Sequence, residues 1–114
     1  MTIMIADGVV RPEQLLRQAQ ELLAHGRAQA AIGEFRRVIE LAPALGIAEL
    51  GLAVACGQSG DDAAAERAAR NAIGKGYDNA GARYVLARSL FGQRRHDEAD
   101  AAFRHVLQLE PSHF

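Results

Sequence analysis

Apolar residues recur along this chain at the spacing of an amphipathic helix. In the segment PEQLLRQAQELL, residues 12–23, leucine and alanine return every three or four positions, which places them on one face of an α-helix. The segment AQAAIGEFRRVIEL, residues 28–41, has the same spacing, and Gly26 separates the two. Glycine commonly ends a helix, and proline follows soon after. The pattern therefore predicts two antiparallel helices joined by a short turn and closed by Pro43.

This helical pair is repeated along the chain. Pro43 and Pro111 are offset by 68 in the numbering (111 − 43 = 68), and Phe35 and Phe103 have the same offset. Half of this offset is 34, which is also the step from Gly26 to Gly60. Fixed-period self-similarity of this length indicates a stacked helical repeat. We predict an apolar N-terminal segment at 1–11, repeats at 12–45, 46–79 and 80–111, and the start of a possible capping helix at 112–114.

The three copies differ at positions that should control packing. Phe35 and Phe103 are expected to be large side chains wedged between neighbouring helices, where substitution by alanine costs about 3–5 kcal/mol. The middle copy has Ala69 at this position. Gly51, Gly57 and Gly74 should weaken its helices by about 0.5–1 kcal/mol each. We therefore expect the neighbouring copies to stabilise the middle one.

Composition narrows the functional classes. The net charge is −1 and the basic residues are scattered, which argues against nucleic acid binding. The single cysteine, Cys56, cannot form an internal disulfide and is expected to be a small buried apolar residue. The N-terminal apolar run is interrupted by Asp7 and Gly8, so it is too short for a signal peptide or a membrane span. We expect a cytoplasmic protein, and the preference for arginine over lysine indicates a bacterial base composition.

No residue cluster predicts catalysis, a metal or a cofactor. The His96-Asp97-Glu98 run falls at a predicted turn, where a capping role explains Asp97. His105 has no second ligand at helical spacing, which argues against a zinc site. We therefore expect no enzyme activity, no metal site and no cofactor.

The repeat resembles the tetratricopeptide repeat, a 34-residue helical hairpin. Its A-x3-F element and closing proline correspond to Ala31, Phe35 and Pro43 in the first copy, with equivalents in the third. The resemblance implies an all-α fold, a right-handed superhelix of three helical hairpins. It also implies that the first helix of each hairpin lines a concave groove that holds peptides. One branch of the family grips a peptide carboxylate with lysine and asparagine. The corresponding positions here carry other residues, which argues against such a clamp: Leu16, Gln20, Gly51, Gly81 and Val85.

The 34-residue spacing of the repeat, read with this resemblance, indicates which residues occupy the groove positions. They are largely apolar, with one arginine and two glutamines: Leu16, Gln20, Leu23, Ile47, Leu50, Val54, Gln58, Tyr84, Arg88 and Phe91. In one interpretation they form an exposed apolar strip that a peptide or amphipathic helix covers. In the other, residues such as Leu16 and Tyr84 pack helix against helix. The N-terminal segment could also fill the groove, in its own chain or in a second copy, or cap the first helix.

Two functional hypotheses follow. The first is a protein-interaction scaffold that binds a peptide or an amphipathic helix in its apolar concave groove, with no nucleic acid or membrane as partner. The second is an N-terminal regulatory or dimerising module of a larger enzyme such as a transferase or hydroxylase. The last apolar stripe, formed by Phe103, Val106 and Leu107, motivates the second. We expect this stripe to lie partly uncovered, and either a continuation of the chain or a homodimer would cover it.

Overall fold

Six α-helices form the body of the molecule. The computed structural model describes residues 11–111 and the backbone of two short strands, β1 at Met4–Ile5 and β2 at Gly8–Val9. The predicted capping segment at 112–114 lies outside the described residues. The helices are α1 Pro12–Ala24, α2 Ala28–Leu41, α3 Gly46–Gln58, α4 Asp62–Gly74, α5 Ala80–Gly92 and α6 His96–Leu109.

The helices follow the predicted period. First helices begin at residues 12, 46 and 80 and second helices at 28, 62 and 96, so both series advance by 34. Successive helices pack against each other throughout, and α3 also contacts α1 and α5. The molecule is elongated, with extents of 50 × 25 × 23 Å. The predicted fold, an all-α superhelix of three helical hairpins, is confirmed.

The turn inside each hairpin has the same geometry in all three copies. Gly26 and Gly60 have φ angles of +75° and +86°, and Arg94 occupies the equivalent position with φ +62°. In each case the next residue donates its backbone N–H to a carbonyl five residues earlier, over 2.9–3.1 Å. This hydrogen bond closes the helix end only if the intervening residue is left-handed. Glycine adopts that conformation freely, whereas Arg94 adopts it at a cost.

The helix starts correct one sequence prediction. Pro12 stands in the first turn of α1, and the Asp61 carboxylate accepts the Ala64 N–H at 3.0 Å as the cap of α4. The prediction that Asp97 caps α6 is wrong. This helix begins at His96, after Arg95. Asp97 is therefore inside the first turn, where it supplies negative charge rather than a cap.

The junction between the first and second repeats is built around Phe35. Its side chain is fully buried in a cluster with Ala19, Ala31 and Ala55. A Cβ atom added to Gly51 in α3 would overlap the Phe35 ring. Gly51 therefore has a packing role, because it admits the ring between α2 and α3. The sequence indicated only that this glycine weakens its helix.

The junction between the second and third repeats is packed by a different pair of residues at the same two positions. Ala69 replaces phenylalanine and is fully buried. Val85 occupies in α5 the position that Gly51 has in α3, and it packs against the cluster that contains Ala69. A large residue facing glycine is thus exchanged for a small residue facing valine, which conserves volume across the junction.

The last helix, α6, has both buried and exposed apolar residues. Val106, one of the three residues of the stripe predicted to lie partly uncovered, is fully buried, and α6 packs against α5. Phe103 is half-buried and meets the Tyr84 ring edge-on at 6.0 Å. Leu107 and Leu109 are 42% and 49% exposed.

The described residues of the N-terminal segment form two short strands, which the sequence did not indicate. Strands β1 and β2 pair antiparallel, with Met4 opposite Val9 and Ile5 opposite Gly8. Their backbones contact each other, and among the described residues they contact no helix. One alternative for this segment, that it fills the groove, is therefore not seen in the residues of it that the structure describes.

Candidate functional site

A cavity of about 720 Å³ opens between α3 and α5, at the junction of the second and third repeats. Its walls come from the two first helices and from the start of α4, and most of its surface is apolar. The lining residues are Leu50, Ala53, Val54, Gly57, Gln58, Asp62, Ala65, Gly81, Tyr84, Val85, Arg88, Ser89, Phe91 and Gly92.

Six of the ten predicted groove residues meet at this cavity: Leu50, Val54, Gln58, Tyr84, Arg88 and Phe91. The structure does not bring the other four to it. Leu16 and Leu23 pack against the buried cluster that contains Phe35, as in the alternative interpretation of helix-to-helix packing. Gln20 is exposed on α1 and Ile47 is half-buried at the start of α3, and neither lines the cavity.

Small residues create the cavity, and they are not among the predicted groove residues. Gly57 and Gly81 lie at groove positions of the repeat and line the cavity with backbone alone. Ala53 and Ala65 are buried and line the same space. Their shortness leaves an open volume between the larger side chains on α3 and α5.

Asp62 is the acidic lining residue that the groove register could not identify. It is the first residue of α4, whereas the register considered only first helices. Its carboxylate lies so close to Gly92 that a Cβ atom there would overlap it. Glycine at position 92 therefore allows the start of α4 to approach the end of α5.

The side chains that line the cavity differ in chemistry and in exposure. Phe91 is 58% exposed, and its ring meets the His96 ring edge-on at 5.3 Å. Arg88 is exposed and is the basic residue of the lining. The buried Ser89 hydroxyl donates to the Leu86 carbonyl at 2.7 Å. The cavity thus offers a large apolar surface with one cation and one carboxylate, a combination suited to an amphipathic ligand.

A hydrogen-bonded cluster beside the cavity joins α4 to the α5–α6 turn. Glu66 accepts from Gln93 at 2.9 Å, from Arg95 at 2.6 Å and from Arg70 at 2.9 Å. The Gln93 amide also reaches the Asp62 carbonyl at 3.4 Å. Burial alone would raise the pKa of Glu66, but the hydrogen bonds from Gln93 and Arg70 and the charge of Arg95 outweigh it and lower the pKa. The ionised cluster therefore holds the second and third repeats together.

Other features of the described residues do not form a second chemical site. Within the described part of the chain, no group of three or more histidine, cysteine, aspartate or glutamate residues is arranged to hold a metal ion. Cys56 is buried as predicted, and burial, its largest influence, raises the pKa of its thiol. None of the helices in the same part is both long and apolar enough to cross a membrane.

A tetratricopeptide repeat family model matches residues 80–113. No curated protein matches the chain significantly. Solved structures share the fold throughout the helical body. The first tetratricopeptide domain of the human RPAP3 protein superposes with a TM-score of 0.84 at 20% identity, covering 90% of this chain and 81% of that one.

Two further structures extend this comparison. The first tetratricopeptide domain of Spaghetti (RPAP3), bound to the HSP90 peptide SRMEEVD, has a TM-score of 0.84 at 20% identity, with 90% and 84% of the two chains covered. An O-GlcNAc transferase from Thermobaculum terrenum has a TM-score of 0.83 at 24% identity, covering 90% of this chain but 20% of the transferase. The predicted resemblance to the family is confirmed by the matched repeat and by the fold.

Proposed function

We propose that this chain, whose third repeat matches the tetratricopeptide repeat, is a protein-interaction module that binds a peptide or an amphipathic helix between α3 and α5. The supporting observation is that six residues selected by repeat register surround one apolar cavity. Its volume of about 720 Å³ falls in the usual range for ligand sites. A similar fold bound to a peptide, in the Spaghetti (RPAP3) structure, supports the same type of ligand.

The lining specifies the chemistry of the ligand. Leu50, Val54 and Phe91 would bury apolar side chains spaced along one face of a helix. Covering the exposed part of Phe91 contributes on the order of 1 kcal/mol. Arg88 would orient an acidic or carbonyl group of the ligand. Because the lysine and asparagine positions of the carboxylate clamp hold other residues here, we infer recognition of the ligand's apolar face rather than of its terminal carboxylate.

Peptide selection on the folded chain tests this proposal. Displayed random peptides would be selected on the immobilised protein, and the strongest would be titrated by calorimetry against two variants, Leu50→Glu and Arg88→Glu. Each should weaken binding by about tenfold or more, equivalent to about 1.4 kcal/mol. Circular dichroism should show that both stay helical.

Two matched variants control for the added charge. Ala101→Glu places a carboxylate on an exposed alanine of α6, and Arg67→Glu reverses an exposed arginine of α4. Neither position lines the cavity, so both should bind the selected peptide as the unmodified chain does. Equal loss of affinity in the groove variants and in these controls would refute the assignment.

The second hypothesis, a regulatory or dimerising module of a larger enzyme, has one observation in its favour. The chain matches 20% of the O-GlcNAc transferase chain, so this fold occurs there within a much larger polypeptide. Sequencing the coding region beyond codon 114 tests the idea directly. A stop codon immediately after Phe114 would exclude it. In either case we infer a binding role for these repeats and no catalytic role.

A further inference from the structure

The Asp62 carboxylate lacks the partner that comparable acidic side chains have. Across residues 11–111, four acidic residues are buried or half-buried, and three of these form an ion pair. The three pairs are Glu34–Arg37, Glu49–Lys75 and Glu66–Arg95, with N–O distances of 3.6, 2.7 and 2.6 Å. The fourth residue is Asp62, whose side chain makes no hydrogen bond or ion pair to the described residues. Because a carboxylate that is partly removed from water is stabilised by a charged partner, Asp62 is able to accept one.

The position of Asp62 makes it accessible from the cavity. Asp62 lines the cavity, and its carboxylate lies against Gly92, the last residue of α5. The carbonyl end of a helix carries partial negative charge, so the end of α5 does not stabilise the carboxylate, and the first turn of α4 stabilises it only in part. Within the described residues no cluster of metal-ligating side chains surrounds Asp62. The cation that fits is therefore a lysine or arginine side chain of a ligand in the cavity.

Arg88 is the oppositely charged residue on the same wall of the cavity. It lies four residues before Gly92 in α5, and residues at this spacing share one face of a helix. The rise of an α-helix separates the two by about 6 Å along the axis. Arg88 is exposed and makes no ion pair to the described residues. The cavity therefore presents an unpaired positive group and an unpaired negative group about one helical turn apart, beside the apolar side chains of Leu50 and Val54.

We propose, on the basis of the function proposed above, that Asp62 determines ligand specificity in this cavity by pairing with a basic side chain. The ligand then carries a lysine or arginine three or four residues from the acidic group that Arg88 binds, with both charges at the edge of its apolar face. A ligand helix lying along α5 presents charges at that spacing on one side. Residues 1–10 of the chain contain no lysine or arginine, so this segment does not match the pattern.

Peptide selection on three immobilised chains tests this charge pattern. The chains are the unmodified protein, Asp62→Asn and the matched control Asp97→Asn, which neutralises an exposed aspartate in the first turn of α6 and does not line the cavity. Displayed random peptides selected on the unmodified chain and on the control should be enriched in a basic residue three or four positions from an acidic one. Peptides selected on Asp62→Asn should lack this enrichment.

Titration of the strongest selected peptide isolates the ion pair. The peptide and a version with glutamine in place of its basic residue would be compared by calorimetry. The glutamine version should bind the unmodified chain about fivefold more weakly than the parent peptide, and the two should bind Asp62→Asn equally. Gly92→Ala gives a second variant, since an added Cβ atom would overlap the Asp62 carboxylate and displace it. This variant should weaken binding of the parent peptide and leave binding of the glutamine version unchanged.

Other outcomes separate this inference from the proposed function. Selected peptides that lose affinity for Leu50→Glu but carry no basic residue would overturn the role of Asp62 and leave the proposed function standing. The same conclusion would follow if they bound Asp62→Asn as tightly as the unmodified chain. Failure to obtain any peptide that depends on Leu50 would remove both proposals. Equal losses of affinity in Asp62→Asn and Asp97→Asn would assign the effect to helix charge instead of a direct contact.

Discussion

Replacing Phe35 by alanine should be the most damaging single truncation in the first junction. Phe35 is the bulkiest of the fully buried side chains in the described residues. Its loss removes a large buried surface and leaves a cavity against Gly51, where no side chain can fill the space. Substitutions of this type cost about 3–5 kcal/mol. A domain of this size has a total stability of about 5–15 kcal/mol, so the variant should remain folded but unfold at much lower denaturant.

A substitution in the facing helix, Gly51→Val, tests whether Phe35 and Gly51 are matched in volume. Gly51→Val alone should destabilise by about 1–3 kcal/mol, because its side chain would overlap the Phe35 ring. In the double variant, Phe35→Ala with Gly51→Val, the valine occupies space that the phenylalanine ring filled. Val85 is placed in the same way in the cluster that contains Ala69. The double variant should therefore be more stable than the sum of the two single effects predicts, by about 1–3 kcal/mol.

Urea unfolding followed by far-ultraviolet circular dichroism measures all four proteins of the cycle. Gly33→Val is the matched control, because Gly33 lies on α2 and an added Cβ atom there would meet no atom within 4 Å. Its effect should add to that of Phe35→Ala within about 0.5 kcal/mol. Additivity of the Gly51 and Phe35 substitutions to the same precision would refute the packing argument.

Two further results are expected from the turn and the ionised cluster. Arg94→Gly should stabilise the chain by about 0.5–1 kcal/mol in urea unfolding, because glycine replaces an arginine in the left-handed conformation. Gly60→Ala should destabilise the chain by a similar amount. An opposite sign for either variant would contradict the turn assignment. The lowered pKa of Glu66 means that its ionised form stabilises the fold above the ordinary glutamate pKa of about 4.3 and that this contribution is lost as pH falls through the lowered value. The stability difference between the unmodified chain and Glu66→Gln should therefore shrink between pH 6 and pH 3, and a constant difference would show that Glu66 is not coupled to Gln93 and its other partners.

The period and the helix pairs could be predicted from the sequence because they depend on local pattern. Apolar spacing and a glycine between helices recur at one fixed interval, and the same interval separates the helix starts. The role of Gly51 could not be predicted in this way. Its partner, Phe35, belongs to the preceding helix, and only the relative placement of α2 and α3 shows that the ring needs this space. Helix propensity alone predicts only that Gly51 weakens α3.

Six of the ten predicted groove residues line the cavity and four do not, for a related reason. Register gives every first helix the same set of groove positions, yet the cavity that these positions line lies at the second junction. At the first junction Leu16 and Leu23 are drawn onto the Phe35 cluster, so they pack inward rather than facing a ligand. Asp62 was missed because it belongs to a second helix, and its place depends on its approach to Gly92.

The two junctions differ in the interactions that hold their helices together. Ile32 packs on the first-junction core, and Glu66 stands at the equivalent position of the next repeat. A glutamate there cannot join an apolar core, and Gln93 and Arg95 instead add hydrogen bonds to it, beside the apolar packing of Ala69 and Val85. These bonds join α4 to the α5–α6 turn, while Leu50 and Val54 of α3 are only half-buried. The polar contacts and the half-buried apolar side chains thus meet at the same junction, where small residues open the proposed binding cavity.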